Sequence, residues 1–399
     1  MVLRAIARDV EPDLSVPGDG AHSRVVAARP VRVMHVVYRL QAGGMEYGVL
    51  KIVNALDRRR VQSSVCSTTP ATDVKTLLRP DVPLFEFHRR DGNDARLVLD
   101  LLRLFRRERP DIVHTHSWGT LLEGLAAARI AGVPKFVHGE HGTLQLRSYQ
   151  RTLQRFAWSR ADLVLSVSSR LAERMADATG FPMSRITTIR NGVNFERFAT
   201  TRRRDARAAL NLPDSVVAVG TVGRLVPVKD QATLIRAIAR LRSQSVDATL
   251  FIAGDGPLRG ELEALASAER IAPHVQFLGH RPDVEAVLAA LDIFVLCSLS
   301  EGLSNTILEA MASGVAVVST SVGGADELVQ PGVTGLLVPA AQPEALASAL
   351  AILCTSPVRR REMGDAGRTR ARIEFSVGRM VRSYEDAYVR LGAGLETTA

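Results

Sequence analysis

The sequence predicts an α/β protein made of two doubly wound domains, each built on a parallel sheet. Three observations lead to this fold class. A length of 399 residues favours two domains over one. Short apolar runs alternate with segments of helical periodicity, which is typical of βαβ units. The alternation pauses once, over residues 190–215, where an Asn-Gly turn signal and a charged stretch separate two such series.

Six apolar runs form the first series, and each predicts a strand. They span residues 31–37, 61–68, 82–87, 111–116, 135–139 and 162–168. Several connecting segments carry apolar residues at helical spacing, as at Leu97, Leu101 and Leu104. Because strands joined by helical crossovers run parallel, residues 31–190 are predicted to form one Rossmann-like domain.

The second series predicts a second domain of the same kind over residues 205–375. Its apolar runs span residues 216–222, 248–254, 275–279, 292–298, 315–320 and 334–339. Residues 191–204 are predicted to be the linker. Ligands of doubly wound sheets bind at the carboxyl ends of the strands, so we expect the two domains to face a shared central cleft.

The two ends of the chain differ from these domains. Residues 1–30 have no periodicity and are expected to be a loose or disordered tail. Residues 376–399 contain an amphipathic stretch from Met380 to Leu391, which predicts a C-terminal helix followed by a tail. The pattern is compatible with packing back on the first domain and also with docking on the second.

Composition excludes several classes of protein. Hydrophobic residues make up 46% and charged residues 23%, which excludes disordered and coiled-coil proteins. No apolar run reaches the roughly 18 residues of a membrane span, and the first thirty residues lack the apolar core of a secretory signal. The three cysteines have no metal-ligand spacing and indicate a reducing compartment. We therefore expect a cytoplasmic protein.

Positive charge is concentrated in the first domain. Residues 31–190 contain 25 basic and 15 acidic side chains, whereas the whole chain has a net charge of +9. Such a balance favours an anionic partner, for example a membrane surface, a lipid phosphate or a nucleic acid. A solvated arginine-rich surface explains it equally well.

The densest motif follows the predicted strand at 292–298 and covers residues 300–312. Glu301 and Glu309 are eight residues apart, about two helical turns, so both can face one cleft. Ser304 is suited to cap this helix, whose first N–H groups would form a phosphate site. Two solvated helix charges are the alternative reading.

Further motifs lie at strand ends in both halves. In the second half these are Gly223-Arg224-Leu225 with Lys229, Ala253-Gly254-Asp255-Gly256-Pro257 and Gly323-Gly324. In the first half it is Gly43-Gly44-Met45-Glu46, and Asn191-Gly192-Val193 lies between the halves. Together with the Glu-x7-Glu motif they resemble the retaining nucleotide-sugar glycosyltransferases of family 4, which have the GT-B fold. The resemblance covers about residues 31–390.

The resemblance implies a role for each motif. The second domain would bind the nucleotide-sugar donor, a UDP- or GDP-sugar, and the first would bind the acceptor. The roles are assigned as follows: Arg224 and Lys229 clamp the donor diphosphate, Glu301 holds the sugar hydroxyls, Glu309 holds the ribose, the backbone of Leu303, Ser304 and Asn305 meets the phosphates, and Gly43, Gly44 and Gly254 line the ligand. Fixed cations suit a leaving group that gains negative charge.

A histidine near the reacting carbon is also implied by the family. His141, just past the predicted strand at 135–139, fits better than His138, which falls within the strand pattern. His114 and His116 remain alternatives. Their His-x-His spacing is compatible with a metal, but no third ligand is evident from the sequence, so no metal site is predicted.

Other ligands and other functions have less support. The Gly254 loop has its third glycine one place too late for a dinucleotide fingerprint. No Asp-x-Asp occurs in the chain, so we expect transfer without a metal ion. Two alternatives stay open: a nucleotide-sugar 2-epimerase of the same fold, and an inactive nucleotide-sugar-binding module.

A finer resemblance concerns the acceptor. Gly44-Met45-Glu46, Arg109-Pro110-Asp111-Ile112-Val113-His114 and Val137-His138-Gly139-Glu140-His141-Gly142 look like transferases of bacterial exopolysaccharide assembly. This implies a glycan or polyprenyl-diphosphate-linked acceptor, and no nucleic acid partner.

Residues 147–158 predict a helix suited to an anionic membrane surface. Arg147, Arg151 and Arg155 recur every four residues, and Tyr149, Leu153, Phe156 and Trp158 offer apolar or interfacial contacts. The alternative is that the apolar residues pack inside the domain and the arginines are simply solvated. The protein is thus expected in the cytoplasm, with peripheral association at the inner face of the membrane.

Overall fold

The computed structural model describes residues 29–90, 94–142, 144 and 147–394. These residues form two compact units. The N-terminal unit contains the chain up to Asn191 together with the residues from Val377 onward, and the C-terminal unit is Gly192–Ser376. Of the predicted tail, residues 1–28 lie outside the described residues. Arg29 forms a bidentate ion pair with Asp111, with both N–O distances at 2.7 Å.

A parallel sheet forms the centre of the N-terminal unit, and its described strands are seven. They are β1 (Val31–Val37), β2 (Val61–Ser67), β3 (Leu84–Glu86), β4 (Ile112–His116), β5 (Lys135–Glu140), β6 (Leu163–Ser166) and β7 (Ile186–Thr188). Their spatial order is β3-β2-β1-β4-β5-β6-β7. The chain order therefore switches between β1 and β4, which is where doubly wound sheets bind ligands.

Helices cover this sheet, and its central strands are therefore buried on both faces, as the burial of every residue of β4 shows. The helices are α1 (Gly44–Ala55), α2 (Ala95–Glu108), α3 (Trp118–Ala131), α4 (Ser148–Ser159) and α5 (Ser169–Thr179). The apolar side of α2 is formed by the predicted residues Leu97, Leu101 and Leu104, all of them buried.

The C-terminal unit repeats this plan. Its strands are β8 (Ala218–Val222), β9 (Thr249–Ala253), β10 (Val275–Gly279), β11 (Ile293–Leu296), β12 (Ala316–Thr320) and β13 (Gly335–Val338). They are parallel, in the order β10-β9-β8-β11-β12-β13. The switch point here lies between β8 and β11. The α/β fold class with two parallel sheets is confirmed.

Nine helices belong to the described residues of this unit. They are α6 (Phe195–Ala199), α7 (Arg203–Ala209), α8 (Gln231–Ser243), α9 (Arg259–Ala268), α10 (Val284–Ala290), α11 (Asn305–Ala312), α12 (Ala325–Leu328), α13 (Pro343–Cys354) and α14 (Pro357–Glu374). Between Gly192 and residue 204 the chain is therefore part of the C-terminal unit, although 191–204 was predicted as a linker. Phe198 on α6 is buried, and the adjoining α7 holds the buried Arg207, whose Nη1 lies 3.2 Å from Asp292 Oδ2.

After α14 the chain forms α15 (Val377–Gly392), which belongs to the N-terminal unit. Its buried face contains Met380, Val381, Tyr384, Tyr388 and Val389, which join residues of β1, β2 and β4 in one apolar core. The Glu385 carboxylate accepts a hydrogen bond from the Asp57 N–H and pairs with Arg60.

Within the described ranges, no helix combines the length and the apolar character that crossing a bilayer requires.

Candidate active site

The loop between β8 and α8 carries the two predicted cations. Leu225 is fully buried and anchors the loop, and its N–H donates to the Asp255 carbonyl over 2.9 Å. Arg224, directly before it, is exposed. Lys229 ends a single 3-10 turn, after which the Asp230 side chain caps α8 by accepting a hydrogen bond from the Thr233 N–H. Both cations thus follow the carboxyl end of a central strand.

Lys229 forms an ion pair with Glu301. The Lys229 Nζ lies 2.5 Å from Glu301 Oε1, and the same oxygen accepts a hydrogen bond from Ser298 Oγ at 2.7 Å. The Cys297 thiol donates to the Lys229 carbonyl at 3.2 Å. Residues that follow β8 and β11 are therefore joined at the switch point of the C-terminal sheet.

Glu301 and Glu309 do not share a helix. The helix α11 begins at Asn305 after the cap residue Ser304, whose Oγ accepts a hydrogen bond from the Ile307 N–H as predicted. Glu301 lies before the cap, in the loop after β11, whereas Glu309 lies on α11 and is part-buried. The argument from two helical turns was wrong because the Ser304 cap starts the helix three residues after Glu301.

Gly254 lies where two loops of the C-terminal unit approach each other. A Cβ on Gly254 would stand 1.9 Å from the Gly223 carbonyl oxygen, and the Gly254 φ is +138°. A Cβ on Gly256 would stand 2.4 Å from the Leu225 carbonyl oxygen. Both glycines therefore hold the β9–α9 loop against the loop that carries Arg224. The sequence placed Gly254 at a ligand, and this packing role was not foreseen.

Gly43 and Gly44 form the start of α1 in the N-terminal unit. Gly43 is the N-cap residue, with an extended backbone, and Gly44 is the first helical residue. A Cβ on Gly43 would meet the Glu46 carboxylate at 2.3 Å, so this flexible side chain would have to move. The turn follows β1, at the switch point of the N-terminal sheet.

His141 lies in the same unit, directly after β5. Its Nε2 is 2.9 Å from Nδ1 of His116, the last residue of β4. Burial of the ring lowers the pKa of His141 to about 4, and the neighbouring His138 adds to this shift. The imidazole is therefore neutral at pH 7 and serves as a hydrogen-bonding group.

His138 has a structural environment, as its place in the strand pattern suggested. It is buried on β5, with Nδ1 2.9 Å from Thr115 Oγ1 and Nε2 3.0 Å from Glu140 Oε1. That carboxylate oxygen also accepts a hydrogen bond from Gln154 Nε2 at 2.9 Å.

His35, which the sequence analysis missed, lies beside the His-x-His pair. It is on β1, in register with His114 on β4, and its Nδ1 is 3.1 Å from His116 Nε2. No third ligand beside His114 and His116 was evident from the sequence, and the structure places His35 there. The order of the sheet makes β1 and β4 neighbours, and the available signal was a histidine in a strand whose residues are mostly apolar.

The basic helix α4 is partly as predicted. Tyr149, Leu153 and Phe156 are exposed, by 56%, 40% and 52%, and the arginines at 151 and 155 are exposed as well. Trp158 is fully buried and packs edge-on against Phe181, so its predicted role as a surface contact was wrong. Trp158 lies on the inner side of α4 with the buried Gln154 and Ala157.

Two family models match the chain in succession. Residues 42–197 match the model described as Glycosyltransferase Family 4, and residues 217–356 match Glycosyl transferases group 1. The lipopolysaccharide core biosynthesis glycosyltransferase LpsE of Rhizobium meliloti is 30% identical over 352 residues, which cover 88% of this chain and 95% of LpsE. The chain is a family-4 glycosyltransferase.

This glycosyltransferase is also similar to a second bacterial enzyme and to a solved structure. The UDP-Gal:alpha-D-GlcNAc-diphosphoundecaprenol alpha-1,3-galactosyltransferase of Escherichia coli is 30% identical over 257 residues, covering 61% of this chain and 66% of that enzyme. The crystal structure of Anabaena HepE in complex with UDP matches with a TM-score of 0.79 at 24% identity, covering 90% of this chain and 99% of HepE. The predicted GT-B fold is confirmed.

Proposed function

We propose that this glycosyltransferase moves a sugar from a UDP- or GDP-sugar to a glycan or polyprenyl-diphosphate-linked acceptor, with retention of anomeric configuration, in bacterial polysaccharide biosynthesis. The observation that carries the proposal is the contact of Lys229 with Glu301 at the switch point of the C-terminal sheet. The Lys229 ammonium, which is suited to bind a phosphate, lies there beside the Glu301 carboxylate, which is suited to accept hydrogen bonds from sugar hydroxyl groups. The names of LpsE and of the E. coli galactosyltransferase support the acceptor class.

The donor would bind with its diphosphate at Arg224 and Lys229. When the bond between the sugar and the phosphate breaks, negative charge develops on the leaving oxygen, and fixed cations stabilise it. Arginine offers a planar fork to phosphate oxygens and lysine a compact charge. The backbone of Leu303 to Asn305, at the start of α11, would add N–H dipoles, because helix N-termini favour anions.

Glu301 would accept hydrogen bonds from the donor sugar and Glu309 from the ribose. As the family resemblance implies, His141 would contact the donor sugar, and Gly43 and Gly44 would let the backbone approach a ligand without a Cβ. We assign no protein nucleophile. The acceptor oxygen would attack the face that the phosphate leaves, and the phosphate oxygen would take the acceptor proton. The catalysis then depends on positioning and charge stabilisation.

The proposal includes transfer without a metal ion at the diphosphate. Transferases of the other large fold class use an Asp-x-Asp motif to hold a metal ion with the diphosphate. This chain has no such motif, and Arg224 and Lys229 follow β8 instead.

It also includes docking on an anionic bilayer at the inner face of the membrane, through the exposed side of α4. A lipid-linked acceptor would then meet the enzyme at the surface that holds it. Exposed arginines beside Tyr149, Leu153 and Phe156 support this part of the proposal.

The decisive experiment substitutes the cations. Arg224→Ala and Lys229→Ala should each lower turnover by about 10²–10³-fold, the scale for one preorganised charge-stabilising donor. Melting temperatures should stay close to that of the unchanged protein, because Arg224 is exposed and Lys229 part-exposed. Arg236→Ala, an exposed arginine on α8, is the matched control and should transfer normally. Near-normal turnover in both cation variants would remove the diphosphate role.

The substrates follow from a screen of UDP-, GDP- and ADP-sugars, measured by thermal stabilisation and by slow donor hydrolysis. NMR of the anomeric proton in the product tests retention. Conversion of the donor to its 2-epimer without an acceptor would identify the epimerase instead, and binding without any turnover would identify a binding module.

A further inference from the structure

Three histidines form a buried cluster at the switch point of the N-terminal sheet. His35 on β1 is in register with His114 on β4, and His116 follows two residues later on the same face of β4. All three are 0% exposed. Their ring centroids are 4.1 to 5.3 Å apart, and one nitrogen from each ring lies within 4.8 Å of the others.

Two ring nitrogens in this cluster have no hydrogen-bonding partner among the described residues. They are Nε2 of His35 and Nε2 of His114. A buried polar atom without a partner is uncommon in native proteins and calls for a ligand or another explanation. A neutral imidazole ring keeps a lone pair on one of its two nitrogens.

The opposite nitrogens of the other two rings are already held. His114 Nδ1 lies 2.8 Å from the Tyr388 hydroxyl, and His116 Nδ1 lies 2.9 Å from His141 Nε2. Metal-ligating histidines are typically fixed in this way, by a hydrogen bond to the ring nitrogen that does not bind the metal. His114 Nε2 is therefore available to a metal ion, whereas His116 Nε2 contacts His35 Nδ1 at 3.1 Å, so a metal ion bound by these two atoms would replace that hydrogen bond.

We propose that His35, His114 and His116 form a Zn²⁺ site in the N-terminal unit, separate from the diphosphate site of the C-terminal unit. The 3.1 Å between His35 Nδ1 and His116 Nε2 is close to the roughly 3.3 Å between two nitrogens of a tetrahedral site with Zn–N bonds of about 2.0–2.1 Å. Neutral imidazoles are ligands that suit zinc, and three of them leave a fourth position open. The hydrogen bond from His116 would link the metal to His141.

The test titrates the full chain, first stripped of metal with a chelator, with ZnCl₂ by calorimetry. One Zn²⁺ should bind per chain and raise the melting temperature. His35→Gln should bind it about 100-fold more weakly or not at all. Two controls should retain the binding: His138→Gln, buried on β5 with partners outside the cluster, and His280→Gln, an exposed histidine.

Absence of Zn²⁺ binding by the unchanged protein, or equal affinity of the His35→Gln variant, would overturn the proposal. If that variant does not fold, Co²⁺ added to the unchanged protein decides the question. Strong visible absorption of four- or five-coordinate Co²⁺ upholds the site, and the weak absorption of octahedral Co²⁺ overturns it.

Discussion

A single missing carbon atom at Gly254 lets two loops of the C-terminal unit touch. A Cβ on Gly254 would overlap the Gly223 carbonyl oxygen. Neither a Cβ nor a backbone oxygen can move away by a side-chain rotation, so the clash could be relieved only by a shift of the backbone. The loop that carries Arg224 and Lys229 is thus placed partly by a glycine outside its own sequence.

Gly254→Ala should therefore destabilise the protein by about 1–3 kcal/mol or more, through overpacking and the positive φ of +138°. Thermal unfolding measures the change. Gly260→Ala is the matched control, because a Cβ at this position on α9 meets no atom within 4 Å. That variant should be neutral or up to about 1 kcal/mol more stable. Equal melting temperatures in the two variants would contradict the contact.

Single residues were predictable where chemistry and position coincide in the sequence. Ser304 is a good capping residue beside an apolar helix, and its role as a cap is confirmed. The contact between Lys229 and Glu301 was not predictable, since it joins residues far apart in the chain. His35 was missed for the same reason: only the sheet order brings β1 beside β4.

At the scale of the element, α4 has two distinct sides. Gln154, Ala157 and Trp158 are buried, whereas the side with Leu153 and Phe156 is exposed. The Arg160 guanidinium lies over the Phe156 ring at 5.1 Å from its centroid. Aromatic and basic side chains thus stand together on one exposed helix side, as at a headgroup boundary.

A triple glutamate variant should no longer bind vesicles that contain phosphatidylglycerol. Its substitutions are at Arg147, Arg151 and Arg155. Each arginine near an anionic surface contributes about 1 kcal/mol, so three change the affinity by at least about a hundredfold. Sedimentation with vesicles measures the bound fraction, and added salt should lower it for the unchanged protein.

The control for this variant is the glutamate substitution of Arg103, Arg106 and Arg107 on α2, three exposed arginines of the same unit. It changes the net charge equally and should still bind. If both triple variants bind vesicles as well as the unchanged protein, α4 is not the docking element.

The elements themselves were largely predictable. Each of the twelve apolar runs corresponds to a strand, because the central strands of parallel sheets are largely apolar on both faces. The three-residue β7 was not predicted, since only Ile186 among its residues is apolar and no apolar run marks the strand. The predicted linker contains the helix α6. This helix was missed because its buried residue, Phe198, lies in a segment that is otherwise mostly polar.

At the scale of the whole molecule, the two sheets share one strand order around their switch points, and each switch point holds a cluster of chemically active side chains. In the C-terminal unit these are Lys229 and Glu301, and in the N-terminal unit they are the histidines. The two clusters differ in charge and in ligand chemistry, so they are expected to respond differently to metal ions.

Transfer should therefore persist in excess EDTA, because Arg224 and Lys229 supply the positive charge at the diphosphate. The measurement is sugar transfer before and after chelation, with each ion added back separately. Loss of activity that Mg²⁺ or Mn²⁺ restores would contradict the proposed donor site. Restoration by Zn²⁺ alone would point to the histidine cluster.

The position of α15 in the chain limits when the N-terminal unit can complete its core during synthesis. The ribosome synthesises the whole of Gly192–Ser376 before it synthesises α15, yet α15 completes the apolar core of the unit that was started first. While the C-terminal unit is being synthesised, the part of the N-terminal core that α15 covers therefore stays uncovered. The contact between the Tyr388 hydroxyl and His114 can form only then, so the N-terminal unit cannot complete its core until the C-terminal unit has been synthesised.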